Sequence, residues 1–86
     1  MKSSVETSMY PFDKNYETPI IHFIKKLRIY PFITVETNGM STQIFGEYDN
    51  VMHSINTEMK NSFLTNEKVV FTLKVVNFDL EEKPSF

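Results

Sequence analysis

The segment from Thr34 to Gly46 constrains the fold of this chain more than any other. It reads T-V-E-T-N-G-M-S-T-Q-I-F-G and contains both glycines of the 86-residue sequence. Asn38-Gly39 is the preferred pair for a two-residue type I′ turn, because both residues tolerate positive φ. We therefore predict a β-hairpin in which a strand over residues 32–37 pairs with a strand over residues 40–45.

A two-residue loop fixes the register of this hairpin. Thr37 then faces Met40, and Val35 faces Thr42. Cross-strand partners share a sheet face, so alternate residues divide into two sets. One set contains Ile33, Val35, Thr37, Met40, Thr42 and Ile44. The other set contains Phe32, Thr34, Glu36, Ser41, Gln43 and Phe45.

Two further strands and two helices are predicted around the hairpin. Residues 3–10 alternate in polarity, as in a half-buried strand, and residues 68–76 form the last strand. Thr18-Pro19 is a typical helix start, with threonine as the N-cap, and apolar residues recur at helical spacing until Pro31. A second helix is predicted to begin at the N-cap Asp49 and to carry an apolar stripe through Phe63.

The element order β-α-β-β-α-β is typical of the ferredoxin-like fold. This α+β fold has a four-stranded antiparallel sheet of order 4-1-3-2 with both helices on one face, and the crossover rule leaves few alternatives. We predict that residues 1–86 form a single such domain, since a chain this short builds one modest core. Residues 77–86 are expected to form a polar tail that packs on a neighbouring chain.

Several classes of chemistry are excluded or disfavoured by the composition. The chain has no cysteine, which excludes disulfides and a thiol nucleophile. Its two glycines cannot build a phosphate-binding loop, and no G-x-S-x-G motif is present. His22 and His53 are predicted on different helices, without the spacing of metal ligands. We therefore expect no catalytic residues, no metal site and no cofactor.

Charge and hydropathy argue against nucleic acid and membrane as partners. The net charge is −2, and the only basic cluster is Lys25, Lys26 and Arg28, which is more typical of a solvated helix face. The last strand does not match the aromatic pattern of RNA-recognition sheets. No stretch of about 18 apolar residues and no signal-peptide region are present. A cytoplasmic location is therefore expected.

The sheet face away from the helices has a mixed composition. A face exposed only to water would be richer in charge, and a core face would be apolar. The pattern leaves two interpretations open, an interface where two sheets stack and a pocket for a polar, planar ligand, and both can hold where subunits meet. The predicted members of this face include Glu6, Ser8, Tyr10, Thr34, Glu36, Ser41, Gln43, Val70, Thr72, Lys74 and Val76.

Three segments resemble the thiamine-binding protein family. They are V-E-T-S-M-Y-P at residues 5–11, V-E-T-N-G-M-S-T-Q-I-F-G at residues 35–46 and V-V-F-T-L-K-V-V-N at residues 69–77. M-S-T-Q-I-x-G is the most specific of these motifs, and the likeness covers nearly the whole chain. Thr7 departs from the family pattern, in which a larger aliphatic residue is common.

The resemblance implies a non-enzymatic protein that binds thiamine or its hydroxymethylpyrimidine moiety near subunit contacts. It also implies a cytoplasmic homotetramer, built as a dimer of dimers. The alternatives are a structural or regulatory homo-oligomer without a small-molecule ligand, and a small enzyme of thiamine salvage.

The polar side chains of the motifs are compatible with such a ligand. An aminopyrimidine offers an amino donor and ring-nitrogen acceptors, which match Glu36, Ser41, Thr42 and Gln43. Glu6 or Glu36 would favour a thiazolium cation, which would also stack on Tyr10 or Phe45. For Thr37 and Thr42 the alternative is plain strand packing on the helix side. The candidate ligand-binding residues are Glu6, Ser8, Tyr10, Glu36, Thr37, Ser41, Thr42, Gln43 and Phe45.

Overall fold

The computed structural model describes residues 1–86 and has the element order β-α-β-β-α-β. The strands are β1 (Lys2–Pro11), β2 (Ile33–Thr37), β3 (Thr42–Glu47) and β4 (Val69–Val76), and the helices are α1 (Glu17–Leu27) and α2 (Tyr48–Thr65). All strand pairs are antiparallel in one sheet of order β2-β3-β1-β4. The predicted ferredoxin-like fold is confirmed, since this order is 4-1-3-2 counted from the other edge.

The core lies between one face of the sheet and both helices. Burying a large apolar side chain contributes about 1.5–3 kcal/mol, so the apolar stripes of α1 and α2 dock the helices on the sheet. Neither helix has the length and apolarity that a membrane span requires. The buried core residues are Val5, Met9, Phe23, Ile24, Leu27, Ile44, Val51 and Ile55.

The β2–β3 hairpin has a longer loop than predicted. Thr37 pairs with Thr42, so the loop contains four residues, 38–41, instead of two. The prediction of a type I′ turn is wrong, because such a turn requires a positive φ at both central residues and neither Asn38 nor Gly39 has one. Instead, Asn38 Oδ1 accepts hydrogen bonds from the N–H groups of Met40 at 2.8 Å and Ser41 at 3.2 Å. The asparagine closes the loop through its side chain.

This change moves the predicted register by two residues. Val35 lies opposite Ile44 and Glu36 lies opposite Gln43. Because side chains alternate with a period of two, a shift of two residues leaves every side chain on its predicted face. Val35 and Ile44 therefore still pack towards the helices, and Glu36 and Gln43 still lie on the other face.

Both helices begin two residues before the predicted position, with Tyr16 and Glu47 as N-caps in place of Thr18 and Asp49. Helix α1 begins at Glu17, so Thr18 lies in its first turn and is not the N-cap. The Thr18 hydroxyl donates to Asn15 Oδ1 at 3.1 Å instead of capping the helix. Helix α2 begins at Tyr48, which places Asp49 in the first turn, where a carboxylate stabilises the helix dipole.

The C-terminal tail, residues 77–86, folds back over the sheet face that the helices leave open. Ser4 Oγ donates to the Phe78 carbonyl oxygen at 2.8 Å and accepts from the Leu80 N–H at 2.8 Å. The tail thus packs on its own sheet, and its packing on a neighbouring chain stays a prediction. One serine of β1 therefore anchors the tail.

Candidate ligand-binding site

The nine predicted ligand-binding residues divide between two clefts. The hairpin cleft, of about 200 Å³, lies between the hairpin loop, the end of β1 and helix α1. The tail cleft, of about 320 Å³, lies between the open sheet face and the C-terminal tail. The hairpin cleft is lined by Ser8, Tyr10, Thr37, Ser41 and Thr42. The tail cleft is lined by Glu6, Glu36, Gln43 and Phe45.

Three threonine side chains form a row across the sheet in the hairpin cleft. Thr7 lies opposite Thr42, and Thr42 lies opposite Thr37 on the next strand. The hydroxyls of Thr37 and Thr42 are hydrogen-bonded at 3.1 Å. Thr7 Oγ1 is buried and has no hydrogen-bond partner. Leaving a buried hydroxyl unpaired costs about 1–3 kcal/mol. The Thr7 hydroxyl is closed off from solvent, so it reaches a ligand in the cleft only if the side chain rotates.

Much of the remaining lining of the hairpin cleft is apolar, although Ser8, Asn38 and Ser41 also line it. Met9 and Met40 approach it from β1 and the loop, and Ile20, Phe23 and Ile24 approach it from α1. Flexible thioether side chains adapt to the face of an aromatic ring. A concave site with apolar walls and a few polar groups is typical of small-molecule binding.

Ser41 connects the hairpin loop to the tail cleft. Its hydroxyl donates to Glu6 Oε2 at 2.9 Å and accepts from Gln43 Nε2 at 2.7 Å. Lys74 Nζ lies 3.4 Å from the other oxygen, Glu6 Oε1. The hydrogen bond from Ser41, together with the charge of Lys74, holds the pKa of Glu6 below its ordinary value. Glu6 is therefore an ionised, oriented carboxylate at neutral pH.

The tail cleft has an excess of negative charge. Two of its carboxylates come from the sheet and two from the tail, and only two ammonium groups oppose them. Phe45 is buried in the floor of the cleft. This arrangement favours a cationic ligand over an anionic one. The charged lining residues are Glu6, Glu36, Lys74, Glu81, Glu82 and Lys83.

The structure does not bring all the predicted pyrimidine contacts into one pocket. Thr42 faces the hairpin cleft, whereas Glu36 and Gln43 face the tail cleft. Thr42 and Gln43 are separated because consecutive residues of a strand point to opposite faces of a sheet. The two predicted stacking residues are also separated, with Tyr10 in the hairpin cleft and Phe45 in the tail cleft. These two share the open face, but Tyr10 lies six residues along β1 from Ser4, which pairs with Phe45.

Some lining residues lie outside the predicted set. Sequence alternation places Thr7 on the helix-facing side, where a core role is expected, and only its hydroxyl distinguishes it from its apolar neighbours. Alternation also places Lys74 on the open face, but its pairing with Glu6 depends on the contact between β1 and β4. No sequence signal places tail residues 80–84 against Ser4, because the contact joins opposite ends of the chain.

Several solved structures share the fold of this chain at low sequence identity. A protein of Streptococcus pneumoniae has a TM-score of 0.84 and 18% identity, covering 94% of this chain and 91% of that chain. A hypothetical protein of Methanocaldococcus jannascii has a TM-score of 0.78 and 22% identity, covering 98% of this chain and 88% of that chain.

A third structure carries a name that refers to thiamine. It is a Thermotoga maritima protein named "putative thiamine biosynthesis/salvage protein", with a TM-score of 0.77 and 17% identity, covering 87% of this chain and 82% of that chain. No family model matches the sequence, and no curated protein matches it. At these identities the structures show the shared fold, and membership of the thiamine-binding protein family stays a prediction.

Proposed function

We propose that this protein binds thiamine or its hydroxymethylpyrimidine moiety in the cytoplasm, without catalysing a reaction. The observation that carries the proposal is the unpaired, buried hydroxyl of Thr7 beside the hydrogen-bonded Thr37–Thr42 pair in the hairpin cleft. The motif resemblance and the name of the Thermotoga maritima structure support the choice of ligand.

The pyrimidine ring fits the hairpin cleft by size and chemistry. Pockets for drug-sized ligands usually enclose about 300–1,000 Å³, so a cleft of about 200 Å³ suits a single substituted ring better than the whole vitamin. Hydroxyls both donate and accept, and thus match an amino group and ring nitrogens. In this proposal the ring gives Thr7 the partner that it lacks once the Thr7 side chain rotates towards the cleft, while Met9 and Phe23 contact the ring faces.

Ser41 has a positioning role in this proposal. Its single O–H is already donated to Glu6, and it also accepts from Gln43. It therefore holds the hairpin loop against β1, and it leaves Thr7, Thr37 and Thr42 as the ligand contacts.

Calorimetric titration with hydroxymethylpyrimidine and with thiamine tests the proposal. Thr7→Val should weaken binding of both compounds by about two- to tenfold, the value of one neutral hydrogen bond. Ser3→Ala is the matched control, because it removes the other buried, unpaired hydroxyl, which belongs to β1 but lies outside both clefts. Absence of binding heat for both compounds would contradict the proposal and favour a purely structural homo-oligomer.

We also propose that the protein assembles as a homotetramer, a dimer of dimers. Strand β4 is an edge strand that exposes Leu73 and Val75, and a free apolar edge is a typical site of pairing with another chain. Sedimentation velocity tests the assembly against the subunit mass of 10.1 kDa. A monomer at micromolar concentration would contradict it.

An enzyme of thiamine salvage is the second candidate, and the name of the Thermotoga maritima structure favours it. Incubation with thiamine and its phosphates, followed by mass spectrometry, separates it from the binding protein. Turnover that exceeds the rate without protein would replace the binding proposal with this one.

A further inference from the structure

A third cleft, which the proposed thiamine site does not use, lies between the start of α1 and the end of α2. This interhelical cleft encloses about 140 Å³ and shares only Phe23 with the hairpin cleft. Apart from Phe23 and Pro19, every lining residue has a polar side chain. The polar lining residues are Thr18, His22, Glu58, Asn61, Ser62, Thr65 and Asn66.

Glu58 is a buried carboxylate without a cationic partner. Only 7% of the residue is exposed. Its Oε2 accepts from the Tyr30 hydroxyl at 2.7 Å, and its Oε1 accepts from Asn61 Nδ2 at 3.3 Å. Both donors are neutral, and the ion pairs of the chain involve other carboxylates. Buried glutamates are normally paired with a cation, and each carboxylate oxygen can accept a further hydrogen bond.

The end of α2 adds negative potential beside this carboxylate. The helix has 18 residues, and its last turn contains no basic residue. The C-terminal end of a helix carries partial negative charge, which a cation normally offsets. The facing end of α1 carries Glu17 in its first turn, which counters the positive end of that helix.

We propose that the interhelical cleft binds a small primary ammonium ion, with Glu58 as its anionic contact. An ammonium group has three N–H donors. In the cleft they can be accepted by the Glu58 carboxylate and by the side-chain oxygens of Asn61 and Ser62. Calcium prefers six to eight oxygen ligands and magnesium a near-ideal octahedron. The chain has no cluster of three or more acidic or histidine side chains that could hold a metal ion. The cleft volume of about 140 Å³ leaves room for a short alkyl chain, whose apolar contacts are Pro19 and Phe23.

Amide-detected NMR titration with n-butylammonium chloride, at constant ionic strength, tests the site. We expect concentration-dependent shifts at the backbone amides of Asn61, Ser62 and Thr65, and we expect no such shifts with n-butanol, which has the same alkyl chain. Glu58→Gln keeps an acceptor for Tyr30 and should weaken ammonium binding at least about tenfold, as for a charge-assisted hydrogen bond. Glu67→Gln removes an exposed charge near the same helix end and should bind as wild type does.

Three results would overturn the proposal. The first is equal shifts with n-butanol, and the second is ammonium binding by Glu58→Gln within about twofold of wild type. The third is a larger response of the same amides to potassium chloride than to n-butylammonium, which would indicate a metal-ion site. The comparison of the three compounds on the wild-type chain decides the question even if Glu58→Gln does not fold.

Discussion

Thr7 lies directly opposite Thr42 across β1 and β3, yet the Thr7 hydroxyl has no hydrogen-bond partner. Thr42 is hydrogen-bonded to Thr37 on its other side. The free protein therefore desolvates a hydroxyl in the wall of the hairpin cleft without compensation. In the proposed site, a ligand with a donor or acceptor within reach of this hydroxyl would remove that penalty, so the same atom would weaken the fold and strengthen binding.

Replacing Thr7 by valine should stabilise the free protein. Valine retains the branched shape and removes only the unpaired hydroxyl, so we expect the free energy of unfolding to rise by about 1 kcal/mol. Urea denaturation measures this change. A loss of stability of similar size would instead mean that the Thr7 hydroxyl has a hydrogen-bond partner in solution. Stabilisation combined with weaker binding of hydroxymethylpyrimidine is the combination that the proposed site requires.

Replacing Ser41 by alanine should raise the pKa of Glu6 towards its ordinary value. The hydrogen bond from Ser41 is the largest cause of the depressed pKa, and the charge of Lys74 remains to lower it in part. NMR titration of the Glu6 carboxyl carbon measures the shift, and Ser8→Ala is the control on the same sheet face. An unchanged pKa in Ser41→Ala would contradict the bond between Ser41 and Glu6.

The depressed pKa of Glu6 sets the direction in which the stability of the protein depends on pH. A carboxyl whose pKa is lower in the folded state contributes stability that is present above its unfolded pKa. That contribution is lost as the pH falls through the folded pKa. The stability difference between wild type and Ser41→Ala should therefore be largest near neutral pH and should shrink in acid.

Tyr30 should titrate above the ordinary pKa of tyrosine. Its hydroxyl donates to Glu58, and this bond, followed by burial and the Glu58 charge, raises the pKa of the phenol. The contribution of Tyr30 to stability is present below its unfolded pKa and is lost as the pH rises through the folded pKa. NMR titration of the ring should show a lower pKa in Glu58→Gln and no change in Glu67→Gln. Equal pKa values of Tyr30 in wild type, Glu58→Gln and Glu67→Gln would contradict the hydrogen bond between Tyr30 and Glu58.

Ser4→Ala should release the C-terminal tail. The Ser4 hydroxyl makes two hydrogen bonds to the tail backbone, and their loss lowers the free energy needed for local opening. We expect faster hydrogen exchange at the Leu80 amide, with the core amides unchanged. Ser8→Ala changes a serine of the same strand and face that does not contact the tail. Equal protection of Leu80 in Ser4→Ala and Ser8→Ala would show that other contacts hold the tail.

Substitution by alanine should affect the stability of the protein differently at the two glycines. Gly46 has a φ of 154°, and a Cβ at this position would lie 2.9 Å from the Phe32 carbonyl oxygen. Gly46→Ala should therefore destabilise the protein by about 1–3 kcal/mol. Gly39 has open space around it, so Gly39→Ala should leave stability unchanged or raise it slightly. Urea denaturation of both variants measures these changes, and a similar loss of unfolding free energy in both would contradict the prediction.

Local patterns in the sequence were sufficient for the fold and for the two faces of the sheet. Alternation placed Val35 and Ile44 towards the helices and Glu36 and Gln43 on the other face, although the loop between them was predicted with the wrong length. The assignment of these residues to the two sheet faces was still correct, because the hydrophobic effect selects the face of each residue and a two-residue shift of register preserves that face. Loop geometry was less predictable, because the Asn38 side chain competes with the backbone for the same N–H groups.

The sequence by itself therefore determined the element order, the sheet topology and the identity of the polar residues near the hairpin. Only the tertiary structure decided how those residues divide between two clefts, that Thr7 carries an unpaired hydroxyl, and that Ser4 anchors the tail. The reason is the sequence separation of the residues that interact. Strand alternation and helix periodicity are local properties of the chain, whereas clefts and hydrogen-bond partners depend on contacts between residues far apart in sequence.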